Sequence, residues 1–161
     1  MGDFQIFDLE LSAGRVGICQ MPGRNDLASD LKAIHHWQAD MVLTMTTQRE
    51  LEVVGAGDIG ARLGKVDIEW RHLPIKDFGA PDDDISKAWK TVAFDAHKIL
   101  MNGGRVLTHC WGGCGRSGMA LLRLMIEAGE DPERALKRLC AIRPCAVETE
   151  AQRDWAGNIN L

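Results

Sequence analysis

At 161 residues, with 45% hydrophobic and 26% charged side chains, the chain is long enough for one buried core and too short for two ordinary ones. A single globular domain over 1–161 is expected. A formal charge of −4 gives no basic footprint for nucleic acid or an anionic membrane surface, and no repeat or low-complexity tract argues for a solenoid or for disorder. No apolar run approaches the ~20 residues of a membrane span. The start, MGDFQIFDLE, is acidic where a secretory signal would be basic, so a cytoplasmic protein is expected, without nucleic-acid or membrane partners. Five cysteines fit reactive or buried thiols better than a disulfide framework.

Short β-type runs alternate with amphipathic helical ones, the pattern of an α/β sheet with helices on its faces. Strands are expected at 16–19, 41–45, 68–74 and 105–109, each bounded by Gly, Pro or charged residues. The expected fold is a central, mostly parallel, twisted sheet of four to five strands. Helices are expected at 27–38 and at 47–54, the latter with Thr47 as N-cap and Glu50 completing a capping box. Over 85–101, Ile85, Trp89, Val92, Ala93, Ala96, Ile99 and Leu100 fall on one helical face, with the cap near Asp84 or Ser86. The segment 117–128 is apolar nearly all round and reads as a buried helix. Another helix at 131–142 opens on Asp131 and Pro132, and a last one follows from about Glu148, so the C-terminal third is helical.

The stretch from Val106 to Gly118 is an apolar strand, a glycine-rich turn and a helix. That is the architecture of an anion cradle. Glycines 112, 113 and 115 allow the backbone to curl so that successive N–H groups converge, and the helix aims its positive end at the same point. The cradle from Trp111, Gly112, Gly113, Cys114 and Gly115 to Arg116 is expected to bind phosphate, with the Arg116 fork holding two oxygens. The same field favours the thiolate of Cys110, which then needs no separate base. His109 is placed to fix the loop through the backbone, and the Ser117 hydroxyl to stabilise the departing thiolate. The loop lacks the Lys-Ser/Thr ending of nucleotide-binding loops.

The string His109-Cys110-Trp111-Gly112-Gly113-Cys114-Gly115-Arg116-Ser117 resembles the His-Cys-x5-Arg-Ser/Thr signature of the protein tyrosine and dual-specificity phosphatase superfamily. Cleavage of a phosphate ester needs a proton donor as well. The segment Leu73-Pro74-Ile75-Lys76-Asp77-Phe78-Gly79 is similar to the general-acid loop of the kinase-associated dual-specificity phosphatases, which puts Asp77 in the role of acid. The segment from Arg143 to Gln152 resembles a family stretch in which a glutamine aligns water, although Thr149 and Gln152 also read as a capping box.

The resemblance implies a phosphatase of phosphotyrosine, and of phosphoserine or phosphothreonine, acting through a phosphocysteine without metal or cofactor. Its partners would be a phosphorylated protein or peptide, and inorganic phosphate or another oxyanion in the loop. A catalytically weak phosphate-binding module, or a phosphatase of non-protein monoesters, is the alternative. The loop carries no lysine, which disfavours phosphoinositides. A zinc site on Cys110, Cys114, Cys140 and Cys145 is disfavoured by their spacing and by the charge of Arg116. Trp111 either shapes substrate access or packs, and Cys114 is either a small buried hydrophobe or a partner for oxidised Cys110, with Cys19 or Cys145 as substitutes.

Overall fold

A computed structural model describes residues 2–159. Five strands form one sheet: β1 (Phe7–Leu11), β2 (Gly14–Cys19), β3 (Met41–Thr44), β4 (Glu69–His72) and β5 (Arg105–His109), in the order β1-β2-β5-β3-β4. Four are parallel, as expected; β1 adds an antiparallel edge, paired from Phe7 opposite Ile18 to Leu11 opposite Gly14. The sequence reading missed β1 because its acidic residues, Asp8 and Glu10, masked an alternating strand. Asp8 is spoken for: Arg15 donates to one carboxylate oxygen at 2.7 Å and the Trp37 indole to the other at 2.7 Å.

Among the described residues seven helices cover the sheet: α1 (Leu27–His36), α2 (Gln48–Val53), α3 (Ile59–Gly64), α4 (Asp83–Met101), α5 (Gly115–Glu127), α6 (Pro132–Ile142) and α7 (Glu150–Gly157). The helix α3 was not expected. It is too short to show a period, and it sits on β4 because Gly60 lets the Trp70 ring occupy the space of a Cβ. Two ends also moved. Asp82 caps α4, accepting from the Ile85 amide at 2.8 Å, and α5 begins at Gly115, so Arg116 lies inside the first turn.

The core has two halves, one on each face of the sheet. Val16, Ile18, Met41, Leu43 and Val106 point to α4 and α5, while Cys19, Val42 and Leu107 point to α1 and α3. This two-sided burial is why the central strands read as continuous apolar runs. The C-terminal helices are joined by a polar knot at Glu127, whose carboxylate accepts from the Trp89 indole at 2.8 Å and from Arg123 at 2.9 Å. Arg123 also donates to the Trp155 carbonyl at 2.6 Å, which fixes α7 against α4 and α5. No helix among the described residues is long and apolar enough to cross a membrane.

Candidate active site

The central strand β5 delivers the loop at its carboxyl end, where open α/β sheets bind ligands. Cys110 follows β5 directly and is 3% exposed, and its sulfur lies 3.1 Å from the Ser117 hydroxyl oxygen. Gly113 has φ +70, and a Cβ there would stand 2.5 Å from the Cys19 carbonyl carbon, so only glycine fits between the loop and β2. Among the described residues, no backbone N–H from Trp111 to Arg116 donates to another protein group. They form a free donor array at the positive end of a 13-residue helix.

Arg116 is almost wholly buried, with its two terminal nitrogens engaged and its Nε without a hydrogen-bond partner among the described residues. Its two terminal nitrogens take one Glu50 carboxylate oxygen each at 2.9 Å, and one also donates to the Ile75 carbonyl at 2.8 Å. Glu50 thus does two jobs, because the same carboxylate closes the capping box of α2, accepting from the Thr47 amide at 2.8 Å. Burial pushes the Glu50 carboxyl up, but the Arg116 and Thr47 hydrogen bonds outweigh it and hold it below its ordinary value. The sequence reading found the cap and missed the ion pair. Nothing local signals a contact between positions 66 residues apart.

Asp77 reaches the same arginine from the loop after β4, its carboxylate oxygen 3.1 Å from the guanidinium. Its side chain is 58% exposed. The loop is bent by Phe78 at φ 60, and its amide donates to Asp77 at 3.1 Å. Gln152 is fully buried and bound at both ends of its amide. Its oxygen accepts from the Glu148 N–H at 2.9 Å and the Thr149 N–H at 3.3 Å, and its nitrogen donates to the Gly79 carbonyl at 3.1 Å. It therefore ties α7 to the Asp77 loop.

His109 was expected to bind backbone. Its Nε2 lies 2.7 Å from the Thr44 hydroxyl on β3, which also accepts from the Trp70 indole at 2.8 Å. Burial pushes its pKa down to about 4, so it is neutral at physiological pH. Trp111 packs beside the α1-side core, with the Arg24 guanidinium 5.3 Å from its ring centre and its carbonyl accepting from the Met21 amide at 3.0 Å.

The cysteine reading needs one correction. Cys114 is joined to Cys145 in a disulfide, with Cys19, Cys110 and Cys140 free. A disulfide was disfavoured on the odd cysteine count, a count that is blind to one bridge plus three thiols. Bound in this way, Cys114 is not free to trap an oxidised Cys110. The bridge pins the phosphate loop to the segment after α6, where Arg143 also donates to the Gly113 carbonyl at 2.9 Å and the Gly112 carbonyl at 2.8 Å.

Known proteins carry this arrangement. A family model described as a polymorphic toxin system DSP-PTPase phosphatase matches residues 16–130. Cyclin-dependent kinase inhibitor 3 of Mus musculus is 27% identical over 148 residues, covering 87% of this chain and 69% of that protein. The crystal structure of kinase-associated phosphatase with serine for its catalytic-site cysteine superposes with a TM-score of 0.85 at 21% identity, over 99% of this chain and 96% of that one. Tk-PTP in its active form is 29% identical, with a TM-score of 0.71 and coverage of 88% of both chains. These matches place the chain among the phosphoric monoester hydrolases of the tyrosine and dual-specificity class. It belongs to the DSP-PTPase phosphatase family and stands close to the kinase-associated type.

Proposed function

We propose that the chain hydrolyses phosphotyrosine, and with it phosphoserine and phosphothreonine, in protein or peptide substrates by way of a phosphocysteine on Cys110. The carrying observation is the convergence on one buried guanidinium of the nucleophile's loop, of Glu50 and of Asp77. The loop amides and Arg116 hold the phosphate oxygens and the charge that builds on them. Cys110 attacks phosphorus, the ester oxygen leaves, and Asp77 gives it a proton. In the second step water displaces the thiolate, which the Ser117 hydroxyl stabilises from 3.1 Å. His109 acts from behind, bracing the loop against β3. Gln152 serves by holding the acid loop through Gly79.

The protein substrate class rests on the family and on the aromatic surface at the entrance. Phe78, 61% exposed beside Asp77, offers a face to a phosphorylated tyrosine ring. The lysine-free loop speaks against polyanionic lipid headgroups. We place the action in the cytoplasm, where phosphoprotein substrates are formed. Release of phosphate from a panel of phosphotyrosine, phosphoserine and phosphothreonine peptides, beside Cys110→Ser, tests the proposal. Turnover by wild type and none by Cys110→Ser is expected; equal, near-zero release by both would leave only a binding module.

A further inference from the structure

Helices α1 and α3 lie over the same face of the sheet, where Ile34, Ile59 and Leu63 share a core with Val42 and Leu107. They do not match in length, ten residues against six, and a groove of about 760 Å³ stays open between α1 and the end of α3. Leu31, Leu63 and Val66, with Ala28 and Ala33, give it an apolar lining. The wall is preformed: after α3 the chain turns back on itself, the Val66 and Ile68 amides both donating to the Leu63 carbonyl at 3.1 Å.

The rim is basic in a chain whose formal charge is −4. Lys32, Arg62, Lys65, His35 and His36 line the groove, and no acidic residue does. Three nearby acids are used elsewhere. Asp26 caps α1 by accepting the Ala28 N–H at 3.2 Å, the buried Asp30 accepts the Gly23 N–H at 2.8 Å, and Asp58 takes Arg62 at 2.8 Å. Neither Lys32 nor Lys65 has an ion-pair partner among the described residues. None of the lining residues belongs to the phosphate loop, to α2 with Glu50 or to the Asp77 loop, so the groove is separate from the candidate active site.

This lining selects its occupant by chemistry. Nucleic acid would meet the cations but leave Leu31 and Val66 against sugar and phosphate. A bilayer surface cannot reach Leu63, which is recessed to 1% exposure. An amphipathic helix satisfies both features, with apolar anchors at i, i+3 or i+4 and i+7 on the floor and acidic flanks against the lysines. From Ala28 to His36 the α1 wall runs about 12 Å, the length of roughly two helical turns.

We propose that the groove between α1 and α3 docks an acidic amphipathic helix of a partner protein. The contact is independent of the phosphate chemistry at Cys110, and its small size makes the complex a transient one. Display of a library of amphipathic peptides on the full chain tests this, with leucine at the anchors and Asp, Glu, Lys, Arg or Ser at the flanks. Wild type should enrich acidic flanks. Fluorescence anisotropy of a selected peptide should show saturable binding that weakens as salt is raised. Lys32→Glu combined with Lys65→Glu should weaken it by roughly tenfold or more, because like charges then face each other. Val66→Asp should weaken it as well, whereas Lys137→Glu, on α6, should bind as wild type does. Melting temperature and phosphate release from a small aryl phosphate should be unchanged in every variant. No enrichment, enrichment of basic flanks, or equal binding by the double lysine variant would overturn the proposal. So would binding of phosphatidylserine vesicles in place of the peptide, or a wild-type dimer lost in the double variant, which would assign the groove to a membrane or to a second copy. Wild type that binds the peptide and releases no phosphate would uphold the groove and overturn the phosphatase reading alone.

Discussion

Replacing Glu50 by glutamine should displace Arg116 without touching Cys110. The wild-type carboxylate meets the guanidinium through two hydrogen bonds of 2.9 Å, on an arginine side chain only 1% exposed. Removing the partner of a buried charge costs about 3 to 5 kcal/mol. Glu50 itself is 22% exposed, Arg116 keeps the Ile75 carbonyl, and a glutamine oxygen retains one acceptor, which together reduce the loss to about 1 to 3 kcal/mol. The increment is pH-dependent in a known direction. The unfolded carboxyl titrates near 4.5 and the folded one below it, so the stabilisation is complete above pH 4.5 and disappears as pH falls through the folded value. Urea unfolding at pH 7 and pH 3.5 should therefore show a gap between wild type and Glu50→Gln that narrows in acid. Phosphate release should fall by ~10- to 100-fold, the cost of a misplaced guanidinium, with little change in the rate of Cys110 alkylation. A variant with wild-type stability and turnover would refute the claim that Glu50 holds Arg116 in place.

Other consequences are as definite. His109 titrates near 6.5 when unfolded and at about 4 when folded, so the unfolded chain binds an extra proton between those values and stability falls as pH drops from 6.5 toward 4. The full loss is about 3 kcal/mol; melting curves over that range should be flatter for His109→Gln, and parallel curves would contradict this. The Cys114–Cys145 bridge closes a separation of 31 residues, so reduction should lower stability by up to about 4 kcal/mol. Thiol titration of the unreduced, denatured chain should count Cys19, Cys110 and Cys140 alone; five reactive thiols would show the bridge absent. Phe78→Ala should raise KM for phosphotyrosine peptides several-fold and leave that for a small alkyl phosphate unchanged, since only the aromatic substrate meets the ring. An equal rise on both would assign Phe78 to shaping its loop instead.

The parts of the site within one local segment were legible in the sequence. Cys110, the three glycines, Arg116 and Ser117 lie in a single strand-turn-helix run, and the β5 and α5 residues around them announce their burial by being apolar. Capping at Thr47, Asp131 and Thr149 was equally plain, because a cap is fixed within four residues. Contacts that the fold alone creates were not legible. Glu50 reaches Arg116 only because β3 lies beside β5 and the chain after β3 crosses the carboxyl end of the sheet. The same holds for Cys145 against Cys114 and for Gln152 against Gly79, which depend on how α6 and α7 fold back over α5. The strand β1 and helix α3 escaped for another reason: their stabilising contacts, Asp8 with Arg15 and Trp37, and Gly60 with Trp70, lie outside their own segments.

Peptide mapping after rapid quench with a phosphotyrosine peptide tests the central claim most directly. A phosphoryl group is predicted on Cys110 and on no other residue, present in wild type and absent in Cys110→Ser. Sustained phosphate release with no adduct on Cys110, or turnover surviving in Cys110→Ser, would contradict it.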